Sequence, residues 1–168
     1  MTRALPALLF LAAASAGASD FTFDIETPNV RVTLPKVPAM KLEPHPMRAG
    51  RPHLRLMGSE GPFNLSVLTP TAEAGMTAQD CARWTMGQLP KRPGVPKQDL
   101  IHKARINELT FVAIYGSVSG GAPLMHAHFI SAAGGTHCVE VHVSKTVAGA
   151  DEVESWFRGW DTARIDPK

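Results

Sequence analysis

Alternation between apolar and polar positions marks most of this chain. Phe21, Phe23 and Ile25 point one way and Thr22, Asp24 and Glu26 the other, which predicts a half-buried strand. Val30, Val32 and Leu34 repeat the pattern after Pro28-Asn29. From Pro35 to Pro52 five prolines break any period, so this stretch is expected to wrap the surface without regular structure. Strand patterns return at Leu54-Met57 and Phe63-Leu68, with a turn expected at Gly58-Ser59-Glu60-Gly61. The period then changes. Thr77 is a capping residue, Asp80 sits at the third helical position, and Ala78 to Leu89 carries no proline, which predicts a helix. On it Cys81, Trp84 and Gln88 form one stripe and Ala82, Met86 and Leu89 its neighbour. Two further strands are expected at Leu100-Ile106 and Leu109-Val118, joined at Asn107-Glu108. The second is apolar on both faces and so expected to be central. A closing helix is expected from a cap at Asp151, with Val153, Trp156, Phe157 and Trp160 as its apolar stripe and both tryptophans as core anchors.

Between these lies a hairpin whose register can be chosen by parity. Pro123-Ser131 and His137-Lys145 flank Gly134-Gly135, a turn signal. An even-numbered loop would mix valines with histidines on one face. An odd-numbered loop puts Met125, Ala127 and Phe129 with Val139, Val141 and Val143. The other face then carries His126, His128, Ile130, Cys138, Glu140 and His142. A one-residue slip exchanges every side chain between the faces, so segregation selects the odd loop. His128 then lies opposite either His142 or Glu140.

The start of the chain changes where all this is expected to happen. Arg3, the apolar run Ala4-Ala14 and the small residues Ala16-Gly17-Ala18 have the layout of a signal peptide cleaved before Ser19. That apolar run is about eleven residues, against the roughly twenty needed to cross a bilayer. Residues 1–18 are therefore read as a leader and 19–168 as a single exported domain, periplasmic or secreted, with no membrane span. Losing Arg3 lowers the formal net charge from +2 to about +1. With Lys and Arg not massed on one face, no nucleic-acid partner is expected. The run Pro90-Lys91-Arg92-Pro93 reads as a solvated loop. Two cysteines in an exported chain, Cys81 and Cys138, predict one disulfide. Closing a loop of nearly sixty residues stabilises by about 4 kcal/mol in the chain-entropy model.

The fold class expected is α+β, an antiparallel sheet with helices packed on it. In element order the chain resembles the PsbP/DcrB-like proteins. The likeness is carried by Phe63-Asn64-Leu65-Ser66-Val67 leading into the Thr77 helix, by Ile106-Asn107-Glu108-Leu109 as a tight connection, and by the final hairpin before Trp156. It implies a three-layer α/β/α fold and a non-enzymatic binding or assembly-support role, as in photosystem accessory subunits. It carries over no functional residue. The long proline-rich segment departs from that family's compact opening hairpin.

The chain has no nucleophile elbow, phosphate loop, zinc-protease helix or dinucleotide fingerprint. One constellation stands out: His126, His128, Glu140 and His142 on one sheet face, close enough across neighbouring strands to share zinc or copper(II). The plainer reading of the same residues is partly exposed strand histidines, or histidines hydrogen-bonded under a helix. A looser set, Met40, His45, Met47, His53 and Met57, has ligand types suited to copper but no regular spacing. Three functions follow: a binding or assembly-support protein for an envelope or protein partner, a periplasmic zinc or copper binder using the hairpin histidines, and a hydrolase of unstated type.

Overall fold

The computed structural model describes residues 20–45 and 53–168. The leader at 1–18 with its cleavage point, and Met47, lie outside the described residues. The two opening runs form β1 (Phe21–Ile25) and β2 (Val30–Leu34), antiparallel with Phe23 opposite Val32. The stretch after Pro35 is not a mere surface wrap. Val37 and Met40 are buried, and Glu43–Pro44 forms a short strand, β3. Two apolar side chains three residues apart draw the segment onto the core, because burying each is worth about 1.5–3 kcal/mol.

β4 (Leu54–Glu60) runs through the stretch expected to turn, and the chain reverses instead at Gly61-Pro62 before β5 (Phe63–Leu68). Gly58 lies inside β4 where the preceding segment crosses closely. A Cβ there would sit 2.6 Å from the Lys41 carbonyl oxygen.

The helix α1 (Ala78–Gln88) starts as expected. The Thr77 hydroxyl accepts the Asp80 N–H at 3.2 Å while the Asp80 carboxylate accepts the Thr77 N–H at 3.1 Å. Its buried face is Ala78, Cys81, Ala82 and Thr85, so Trp84 falls outside the stripe and stands 46% exposed.

β6 (His102–Arg105) and β7 (Phe111–Ser119) are joined where the Asn107 side-chain oxygen accepts the N–H groups of Leu109 and Thr110. The hairpin is β8 (Ala122–Ala133) and β9 (His137–Thr146). Its loop has three residues, with Ala133 opposite His137 and both Gly134 and Gly135 at positive φ. That is the odd register: Ala127 faces Val143, Phe129 faces Val141, and His128 faces His142. The closing helix, α2 (Ala150–Trp156), is capped by Gly149 rather than Asp151 and stops before Trp160. Phe157 turns outward, 40% exposed, while Trp156 and Trp160 are buried edge-to-face at 5.0 Å. A last strand, β10 (Arg164–Pro167), was not signalled by any alternation and pairs with β2.

The fold is α+β with antiparallel sheets. Seven strands order as β3-β4-β5-β9-β8-β7-β6, and three as β1-β2-β10. β7 is therefore second from an edge, not central. Its first half is nonetheless covered on both sides, whereas Val118 near its end is 72% exposed. The valine face of the hairpin, with Leu65, Val67, Val112 and Ile114, packs against the three-stranded sheet and the two tryptophans. One layer is thus shared between a small sheet and α2, where a helical layer alone was expected.

On the opposite face α1 covers Ile130 and Cys138, and Leu89 with Ile101 covers Ala113 and Tyr115. The Cys81–Cys138 disulfide is formed, with Cα atoms 5.5 Å apart, and ties α1 to β9. Among the described residues no helix is long and apolar enough to cross a membrane.

Candidate functional site

The helical layer covers only one end of its sheet face. Where it stops, three neighbouring strands bring four aromatic rings together. His142 of β9 lies across from His128 of β8, and His126 lies across from Tyr115 of β7. The rings stack in near-parallel planes: His128 on His142 at 4.2 Å, His126 on His142 at 5.2 Å, and Tyr115 on His126 at 4.7 Å and on His128 at 5.5 Å. Alternation fixes this, since each ring is two residues or one strand from the next.

Two hydrogen-bonded chains cross the stack. In the first, Arg92 donates Nη1 to Glu140 Oε1 at 2.6 Å and Nη2 to Oε2 at 2.8 Å. Glu140 Oε1 also lies 2.8 Å from His128 Nδ1, and His128 Nε2 lies 3.1 Å from the Tyr115 hydroxyl. Burial alone would raise the Glu140 pKa, but the Arg92 fork and the His128 bond outweigh it and hold it at about 2. An ionised carboxylate only accepts, so His128 Nδ1 carries the proton toward it. Burial pushes the Tyr115 hydroxyl up to about 12, so it keeps its proton and can donate to Nε2.

The second chain joins hydroxyls through two imidazoles. Ser117 Oγ is 2.7 Å from His126 Nε2, and His126 Nδ1 is 3.0 Å from His142 Nε2. His142 Nδ1 in turn has Ser66 Oγ of β5 at 3.5 Å. A link between two ring nitrogens holds one proton, so the two rings cannot both be imidazolium. Burial, and then the neighbouring His128, lower His126 to about 4. Burial and then the other two imidazoles hold His142 well below 6.5, with Glu140 opposing them. At neutral pH this chain is uncharged.

All four residues singled out from the sequence therefore converge. They do so as links in chains, with lone pairs turned on one another rather than toward a common point. Among the described residues no group of three or more His, Cys, Asp or Glu is arranged to hold a metal ion. Of the looser methionine–histidine set, Met40 is in the core, Met57 is 39% exposed on β4, and His45 and Met57 line one groove. His137 stays at the turn, 3.0 Å from the Thr136 hydroxyl.

Arg92 corrects the reading of its segment as a solvated loop. It is brought back over the sheet after a short 3₁₀ turn, Leu89–Lys91, whose Leu89 is fully buried. The signal for it was Glu140 itself, since a carboxylate between Val139 and Val141 on a buried face requires a cation.

Beside the stack a groove of about 600 Å³ opens between β4, β5, β9 and the Arg92 segment. Arg92, His142, Ser66, Ser144 and Asn64 supply its polar wall, and Leu54, Met57, Leu68 and Pro93 its apolar one. The volume is in the range of small-ligand sites, about 300–1,000 Å³. The chain matches no protein-family model and no curated protein.

Proposed function

We propose that this chain is an exported, periplasmic or secreted binding domain without catalytic activity, and that the groove beside the histidine stack is where it meets its ligand. The observation that carries this is the contrast between the two halves of the site. The reactive-type groups are closed on one another, whereas the adjoining groove presents donors to the outside.

A hydrolase would need an activated nucleophile facing substrate. Ser117 with His126 is the nearest approach to one, but a base near pKa 4 takes up a proton poorly at neutral pH. The groove reaches His142 and Ser66 and not Ser117 or His126. The apolar leader-like run and the disulfide support export. The partner proposed is a protein or envelope component, as the resemblance to PsbP/DcrB-like proteins implies.

A fragment screen followed by amide chemical-shift mapping tests the reading. Binding is expected to move Ser66, His142 and Ser144, and a serine-reactive fluorophosphonate is expected to leave Ser117 unlabelled. Stoichiometric labelling of Ser117 would overturn the non-catalytic assignment. Sequencing the mature N-terminus is expected to begin at Ser19.

A further inference from the structure

Resting on that reading of the groove, the geometry points to a ligand that carries a carboxylate beside an apolar body. Arg92 is the only charged residue that lines the groove among the described residues, and no acidic side chain lines it. Four other grooves on the described residues each carry a carboxylate: Glu26 beside β1, Asp80 beside Trp84, Glu43 beside β3, and Glu154 beside α2.

The state of Arg92 fits the same chemistry. A guanidinium has five N–H donors, and Glu140 takes one from each terminal nitrogen. Nε and the remaining terminal hydrogens are left for an acceptor. Arg92 is 35% exposed where it borders the groove, and Glu140, 1% exposed, does not line it. The carboxylate thus works from behind, holding the fork in place from outside the groove. A pre-oriented fork loses less freedom on binding, and its planar edge matches a planar oxyanion. Ser66, Ser144 and Asn64 add hydroxyl and amide donors on the same wall. Leu68 and the other apolar residues provide the surface for the body of the ligand.

Carboxylates of this kind occur free, as in a short fatty acid, or as the end of a peptide chain. Both sources can be tested on the intact protein by amide chemical shifts and calorimetry. Octanoate is compared with octanamide, and an apolar tetrapeptide with a free C-terminus is compared with its C-terminal amide. The carboxylate member of at least one pair is expected to shift Ser66, His142 and Ser144 and to bind at least tenfold tighter than its neutral isostere. Whichever pair shows the larger difference names the source. Arg92→Lys keeps a cation for Glu140 but removes the planar fork. It is expected to cost at least tenfold in affinity, while His128 and Tyr115 resonances stay in place.

Equal binding of carboxylate and amide in both pairs overturns the ligand class and leaves the groove as a binding site. Shifts that avoid the groove, with ligands of any charge, overturn the groove itself and with it the binding reading.

Discussion

Removing either partner of the Arg92–Glu140 pair breaks the same two hydrogen bonds, yet the two losses should differ in cost. Arg92→Ala leaves a carboxylate that is 1% exposed with His128 as its remaining partner. Stripping one partner from a buried ion pair typically costs about 3–5 kcal/mol. The low end applies here, about 3 kcal/mol, because His128 still bonds the carboxylate. Glu140→Gln leaves an arginine that is already 35% exposed and can turn to water. The glutamine also keeps an acceptor for His128, so this loss should be about 1–1.5 kcal/mol, the scale of an ordinary hydrogen bond.

The double variant removes the buried charge together with its partner and should cost about 1.5–2 kcal/mol, less than Arg92→Ala alone. The coupling energy is then about 2.5 kcal/mol. Urea unfolding at pH 7, with the m-value checked for constancy, measures all three. Additive single and double variants, or an Arg92→Ala no worse than Glu140→Gln, would falsify the view that Arg92 exists in the fold to neutralise Glu140.

Acid should destabilise the protein in two stages. His126 titrates near 4 in the fold and at 6.5 when unfolded, so the unfolded chain binds more protons between those values and stability falls as pH drops from 6.5 to 4. The full loss is on the order of 3 kcal/mol. Glu140 acts in the same direction at lower pH: lowered from 4.5 to about 2, its contribution is intact above 4.5 and is lost only below it. His142, also held well below 6.5, adds to the upper stage, so His126→Gln should shrink that stage without abolishing it and leave the lower one; a midpoint that does not move between pH 6.5 and 4.5 would contradict the two histidine assignments. Cys81→Ala with Cys138→Ala should lower stability by about 4 kcal/mol at a separation of 57 residues, read by urea unfolding in parallel with the oxidised protein. A loss under 1 kcal/mol would mean that α1 is held on the sheet without the bridge.

Parity did most of the sequence work. The segregation of three valines from three histidines selected an odd loop and with it put His128 opposite His142 or Glu140, of which the structure has His142, and set Cys138 on the face that α1 covers. Those inferences needed only the two-residue period of a strand. What could not be read depends on contacts between distant segments. Arg92 sits between prolines like any solvated loop residue, and only its position 48 residues before Glu140, folded back over the sheet, makes it a buried partner.

β10 has one apolar residue facing inward, Ile165, which is too little for a periodic signal. Its place is set by β2 and by the Thr110 hydroxyl accepting the Ile165 N–H. The four candidate residues were visible as a cluster, but not the direction in which their lone pairs point. The ring nitrogens are met by Tyr115, Ser117 and Ser66, three residues with no motif of their own.

The closed character of the histidine stack is tested most directly by the side-chain nitrogen resonances of the imidazoles followed from pH 8 to pH 3. His126 and His142 should remain neutral through pH 5.5, His126 should titrate with a midpoint near 4, and the nitrogens facing each other should show a shared hydrogen bond. Independent titration of both rings near 6.5 would mean that they are separate, solvated side chains, and the paired network described here would not exist.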